Sequence, residues 1–166
     1  MSVLVLGLGP GDPKHLTQEA LQVLQDAREI YVRTRRHPTI AGLPQHIAIH
    51  DFDSVYERED DFASVYAAIA EQVIELGRRP EGVIYAVPGH PLVGEASVQR
   101  ILASAREIDV PVRIVDGLSF VEPTLALLGL DALPGLQVGD AIEIAGQYHP
   151  PLNPDRPALL CQMYNQ

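Results

Sequence analysis

The chain alternates between short unbroken apolar runs and longer stretches in which apolar residues return every three or four positions. Val3 to Leu6 is apolar throughout, as expected of a strand covered on both faces. It runs into Gly7-Leu8-Gly9-Pro10-Gly11-Asp12-Pro13, where glycines at alternate positions permit positive φ and close approach of another surface. Thr17 then stands as the N-cap of a helix carrying Leu21, Leu24 and Ala27 or Arg28, with Leu16 placed to staple against Leu21. Ile30 to Val32 reads as a second strand and His46 to His50 as a short alternating one. Asp51 to Asp61 reads as an acidic loop. Phe62, Val65, Tyr66, Ile69, Val73 and Leu76 mark one face of a long helix that stops at Gly77-Arg78-Arg79-Pro80.

A central run follows, Val83-Ile84-Tyr85-Ala86-Val87, and breaks at Pro88-Gly89-His90-Pro91. Two prolines make this loop stiff. Val98, Ile101, Leu102 and Ala105 place another helix after it, and Val112 to Val115 a fifth strand that enters Asp116-Gly117-Leu118-Ser119-Phe120. Ser119 is in position to cap a helix reaching Leu128. Strands and helices in this order predict an α/β fold: one parallel, doubly wound, Rossmann-like layer over residues 1–117. Residues 118–166 read as a linker helix and the incomplete start of a second α/β domain. Gly139 to Ile144 and Ala158 to Met163 are its expected strands, with no clear helix after either.

Composition narrows the functional classes. A hydrophobic content of 46% with 20% charged residues is ordinary for a globular core. A formal net charge of -10 argues against a binder of nucleic-acid phosphates. The single cysteine, Cys161, allows no internal disulfide and no thiolate metal cluster. No apolar run is long enough for a bilayer, and the amino-terminal run lacks the basic segment of a signal peptide, so no membrane is expected and the cytoplasm is the natural compartment.

Candidate chemistry gathers after the carboxyl ends of the strands. GLGPGD departs from the G-x-G-x-x-G spacing, and Asp12 would repel a pyrophosphate, so a dinucleotide site is disfavoured. No Walker-type phosphate loop is present. His46 and His50 lack neighbours at ligand spacing, and no metal site is expected. Arg33, Arg35, Arg36 and His37 form the one basic cluster, read first as a solvated loop rim and otherwise as a clamp for an acidic substrate.

Taken together in order, GLGPGDP, VPGHPLVGE and DGLSF resemble the signature loops of the tetrapyrrole (corrin/porphyrin) methylase superfamily. The series YVRT, HP, YAVPGHPLV and LLCQMYNQ is closer to one branch, the amino-terminal methylase-like domain of YabN-type proteins fused to a MazG-type nucleotide pyrophosphohydrolase. The resemblance implies a S-adenosylmethionine-dependent methyltransferase-like domain whose substrate is unknown, with the cofactor folded between two α/β domains. It places cofactor contacts on Pro10, His90 and Val93, on Ser119 and Phe120, and on Gln162 and Met163 in the second domain. It also implies a homodimer and a MazG-type pyrophosphohydrolase domain as partner.

Methyl transfer from a sulfonium depends on alignment and exclusion of water, so no acid–base triad is expected and no catalytic residue is singled out. Asp12 and Asp116 are the polar groups nearest the loops, with bracing of backbone N–H groups as their expected role. Two departures bear on activity. His90 stands where the family has an aspartate, and the second domain stops at Gln166, short of the family's usual extent. The alternative class is therefore a non-catalytic interaction or regulatory module associated with a MazG-type nucleoside triphosphate pyrophosphohydrolase.

Overall fold

The computed structural model describes residues 1–163. The chain divides into two compact units, Met1–Phe120 and a second that begins at Val121. The first unit carries strands β1 (Val3–Gly7), β2 (Glu29–Val32), β3 (Ala48–Asp51), β4 (Val83–Val87) and β5 (Val112–Val115). Its helices are α1 (Gln18–Asp26), α2 (Asp53–Arg58), α3 (Phe62–Gly77) and α4 (Ala96–Glu107). The strands form one sheet in the order β3-β2-β4-β1-β5, parallel at every pairing.

The unbroken apolar runs are explained by the two faces. Val3 and Val5 of β1, with Val83, Tyr85 and Val87 of β4, point into one core together with Ile69 and Val73 of α3 and Val98 and Ile101 of α4. The intervening Leu4, Leu6, Ile84 and Ala86 point into the other, against Ala20 and Leu24 of α1. Leu6, Leu24, Ile30, Ile69 and Ile101 are fully buried, each worth roughly 1.5–3 kcal/mol relative to exposure. Every side chain of Val3 to Leu6 and of Val83 to Val87 packs into one of the two cores, so neither strand has a polar side.

Three local readings are corrected by packing. Ala20, Leu24 and Ala27 face the core, whereas Leu21 is exposed, so the staple from Leu16 to Leu21 does not form the buried seam of α1. The acidic stretch is not a plain loop: Asp53–Arg58 is helical and buries Val55 on the sheet. The third strand begins at Ala48 rather than His46, because its N–H groups at Ala48 and Phe52 are taken by the carbonyls of Arg28 and Val32. That alternation leaves Ile49 with its carbonyl on the outer side, where the Arg35 Nη2 donates to it while Arg35 Nε pairs with Asp51 Oδ2 at 2.8 Å.

The second unit holds α5 (Val121–Leu128), β6 (Gln137–Asp140), α6 (Ala141–Ala145) and β7 (Ala158–Cys161), with β6 and β7 paired in parallel. The expected strand from Gly139 to Ile144 therefore ends at Asp140. The Asp140 carboxylate accepts from the N–H groups of Ile142 (2.8 Å) and Glu143 (3.3 Å), and this cap starts a helix immediately after the strand.

In the first unit α1 leaves β1 over one face and α4 leaves β4 over the other, so the crossovers reverse between these two neighbours. Such a switch point opens a crevice at the carboxyl ends of the strands. Here three glycines close its floor. A Cβ on Gly7 would lie 2.6 Å from the Gly89 carbonyl oxygen and from Gly117 Cα, and one on Gly117 only 2.2 Å from the same oxygen. Gly117→Ala is accordingly expected to force the loops apart and cost roughly 1–3 kcal/mol. Chemical denaturation reads this directly, and an unchanged midpoint would show that the contact can relax without loss.

Candidate functional site

The site is built from the loops after β1, β4 and β5. Gly9 and Gly89 form an antiparallel bridge across the switch point: Gly89 N donates to Gly9 O at 2.8 Å and Gly9 N to Gly89 O at 3.2 Å. Both take positive φ, +69° and +66°, which favours glycine. The Thr39 hydroxyl, fully buried, donates to Leu8 O at 3.1 Å and holds the first loop from behind. Thr17 does two things at once. Its Oγ1 accepts from Ala20 N to cap α1 and donates to Asp116 O at 3.1 Å, tying the start of α1 to the third loop.

His90 joins the second loop to the third. Its Nδ1 accepts from Leu92 N at 3.0 Å, which leaves the ring proton on Nε2, 3.4 Å from Asp116 Oδ1. Val93 closes the same turn, its N–H donating to His90 O at 3.0 Å. Asp12 braces its own loop, its Oδ1 accepting from Lys14 N at 2.9 Å. Both aspartates thus take structural contacts in the loops. Beyond His90 the backbone is open: a Cβ built on Gly94 would meet nothing within 4 Å.

Of the residues singled out from the sequence, Pro10, His90, Val93, Ser119 and Phe120 lie on these three loops of the first unit. Ser119 is buried, and Pro10, Val93 and Phe120 are partly so. Gln162 and Met163 follow β7 in the second unit, where Gln162 adopts φ +62° and Met163 is exposed.

Beside the loops lies a buried polar chain that sequence reading missed. Arg33, directly after β2, places Nη1 3.0 Å from Oε1 of Glu95, the residue before α4. Ser97 Oγ donates to Glu95 Oε2 at 3.2 Å and lies 2.9 Å from the Tyr85 hydroxyl. Burial pushes the Glu95 carboxyl up, and Arg33 and the Ser97 hydroxyl pull against it. Burial likewise opposes the Arg33 charge, but Glu95 and the Tyr56, Tyr85 and Tyr66 hydroxyls more than offset this, and the guanidinium pKa is raised. The Tyr56 hydroxyl is pushed up to about 12, mainly by burial. His37 moves the other way, lowered by burial and then by Arg33. The basic cluster is therefore not a uniformly solvated rim: Arg33 is turned inward, and Arg35 is committed to Asp51. Tyr85 inside an apolar run was the available signal, since a buried phenol needs a partner.

Among the described residues no three His, Cys, Asp or Glu side chains are gathered to hold a metal ion, and no helix is long and apolar enough to cross a membrane.

Three loops whose backbones meet at the switch point of a parallel doubly wound sheet define an α/β protein of the class whose ligand sites form at that place. The chain belongs to the tetrapyrrole (corrin/porphyrin) methylases, whose family model matches residues 2–163. It is 38% identical over 165 residues to the uncharacterized protein YabN of Bacillus subtilis (strain 168), covering 99% of this chain and 33% of that protein. It is 30% identical over 165 residues to a methyltransferase/borosin cyclic peptide precursor of Serendipita vermifera subsp. bescii, covering 98% of this chain and 40% of that one. The chain thus spans only a third to two-fifths of these relatives.

Among solved structures, uroporphyrin-III C-methyltransferase from Thermus thermophilus matches with a TM-score of 0.59 and 26% identity, over 84% of this chain and 60% of that one. A complex of that enzyme with S-adenosylhomocysteine matches at 0.55 and 21%, over 84% and 59%. Tetrapyrrole methylase relatives use S-adenosylmethionine.

The Arg33–Glu95 pair makes a prediction about stability. Glu95→Ala leaves a buried guanidinium uncompensated and is expected to cost roughly 3–5 kcal/mol, whereas Glu95→Gln retains hydrogen-bonding partners for Arg33 and Ser97 and costs less. Urea denaturation of the two variants compares them, and equal losses would show that charge pairing contributes nothing.

Proposed function

We propose that this chain is the methyl-donor-binding part of a S-adenosylmethionine-dependent methyltransferase. The observation that carries the reading is the glycine junction of Gly7, Gly89 and Gly117 at the switch point of the sheet. It leaves open loop backbone beyond it in a chain that belongs to a methylase family. The donor's sulfonium supplies an already activated methyl group. The work left to the protein is to bind, to orient and to exclude water. Pro10 and the glycines of the first loop present backbone, and Pro88 and Pro91 stiffen the second loop. His90 offers a ring fixed by Leu92 N with its Nε2 turned toward Asp116, and Ser119 and Phe120 complete the third loop.

Where the family has an aspartate, the imidazole of His90 avoids setting two carboxylates side by side, because Asp116 stands 3.4 Å away. Calorimetric titration with S-adenosylhomocysteine tests the reading. A micromolar dissociation constant is expected, and His90→Ala is expected to weaken it about tenfold, or ~1.4 kcal/mol, by releasing the two loops it joins. Absence of heat from a folded chain would remove the donor-binding reading.

A finer proposal follows from the stretches YVRT and PGHPLV and from the likeness to a protein of which this chain covers 33%. The domain works in association with a MazG-type nucleoside triphosphate pyrophosphohydrolase. Co-elution of the two from a sizing column is expected, and separate elution at micromolar concentrations would count against association.

A further inference from the structure

A row of rings runs outward across the first sheet to its β3 edge. Tyr85 of β4, Tyr31 of β2 and His50 of β3 are register partners, so they share one face. Burial falls along the row: Tyr85 is fully buried, Tyr31 is partly covered, and the His50 side chain is 48% exposed. The His50 ring stacks on Tyr31 with centroids 4.7 Å apart and planes 21° from parallel, and Phe52 stands 6.2 Å from Tyr31. Between these rings and the helices α2 and α3 lies a cavity of about 440 Å³, within the range of small-molecule sites. Its rim at His50, Ser54 and Gln72 is exposed, so a solute can enter. None of its lining residues belongs to the loops after β1, β4 and β5.

The uncommitted polar groups around this cavity are neutral. Among the described residues, the Ser54 hydroxyl, the Gln72 carboxamide and the Tyr31 hydroxyl have no hydrogen-bond partner within the protein. The charged groups are already matched. Asp51 Oδ2 is 2.8 Å from Arg35 Nε, and Glu75 Oε2 is 3.2 Å from Arg78 Nη1. The place for a cation over Tyr31 is taken by Arg79, 5.6 Å from the ring centroid and 2.7 Å from Glu29 Oε1. A carboxylate entering the cavity would face the carboxylates of Asp51 and Glu75. An uncharged ring meets neither obstacle and gains stacking against His50 and Tyr31. A carbonyl or N–H on that ring exchanges water for Ser54 or Gln72.

We propose that Tyr31, His50, Ser54 and Gln72 form a second ligand site, separate from the donor loops, for an uncharged aromatic ring carrying a carboxamide-type group. The proposal stands without the methyl-donor reading.

Three probes separate shape from charge: benzamide, the puckered cyclohexanecarboxamide and the anionic benzoate. Each is titrated into the whole chain and followed through the His50 ring protons in carbon–proton NMR spectra, where the His50 signal is the one missing from His50→Ala. Benzamide is expected to shift that signal with half-saturation in the millimolar range. Cyclohexanecarboxamide and benzoate are each expected to bind about fivefold more weakly. Gln72→Ala, at an exposed helix position, is expected to weaken benzamide about threefold.

Equal affinity for benzamide and cyclohexanecarboxamide would overturn the proposal. So would benzoate binding as tightly as benzamide, a His50 signal that benzamide leaves in place, or unchanged benzamide affinity in Gln72→Ala. Calorimetry with S-adenosylhomocysteine is then run with and without saturating benzamide. An unchanged constant is expected, and competition would put benzamide in the donor loops and sink the separate site. A chain that takes benzamide but no S-adenosylhomocysteine would lose only the donor reading.

Discussion

Backbone meeting backbone at Gly7, Gly89 and Gly117 is the constraint on which the first unit depends. Three loops from neighbouring strands converge there at distances that leave no room for a side-chain carbon. Once they touch, the Gly9–Gly89 bridge can form, and the polar groups of two loops satisfy each other where helices and strands no longer can. Thr17 and His90 then add side-chain ties to the third loop, both at Asp116. The crevice gets its shape from the main chain, so its outline is set before any side chain is chosen.

Much of this was legible because apolar pattern and burial agree most closely in the central strands. In β1 and β4 both faces are covered, and the unbroken runs Val3–Leu6 and Val83–Val87 say so without ambiguity. The long helix α3 was equally plain from Val65, Ile69 and Val73. The family resemblance, carried by three loops in order, is upheld by the family match over residues 2–163. Where charge and burial compete, the pattern was harder to read. Val55 supplies one buried anchor in the acidic stretch around α2, too little to show a helical period. Asp140 ends a strand and caps a helix in the same residue, so Ala141 to Ile144 looked like a continuation of what came before.

The Arg33–Glu95 pair was illegible for a different reason. Each residue sits in a locally polar stretch, and nothing near either one in sequence predicts the other. They meet because β2 and β4 are neighbours and the end of the second loop turns back over them. The residues of the basic cluster between Arg33 and His37 therefore have different environments. Arg33 is held inside by a carboxylate, Arg35 lies along the outer strand, and the His37 ring reaches the first glycine loop. Topology, rather than composition, sorts them.

Arg35 has a consequence beyond its local pairing. In a parallel sheet the last strand turns every second carbonyl and N–H outward, and such a row is a template on which another extended chain can grow. On β3 the carbonyl that a newcomer would need, that of Ile49, already accepts from Arg35, and the side chain is held there by Asp51. Of the two outer strands, β3 thus carries its own terminator: a cation parked along that edge, which discourages another copy of the protein from adding to it there.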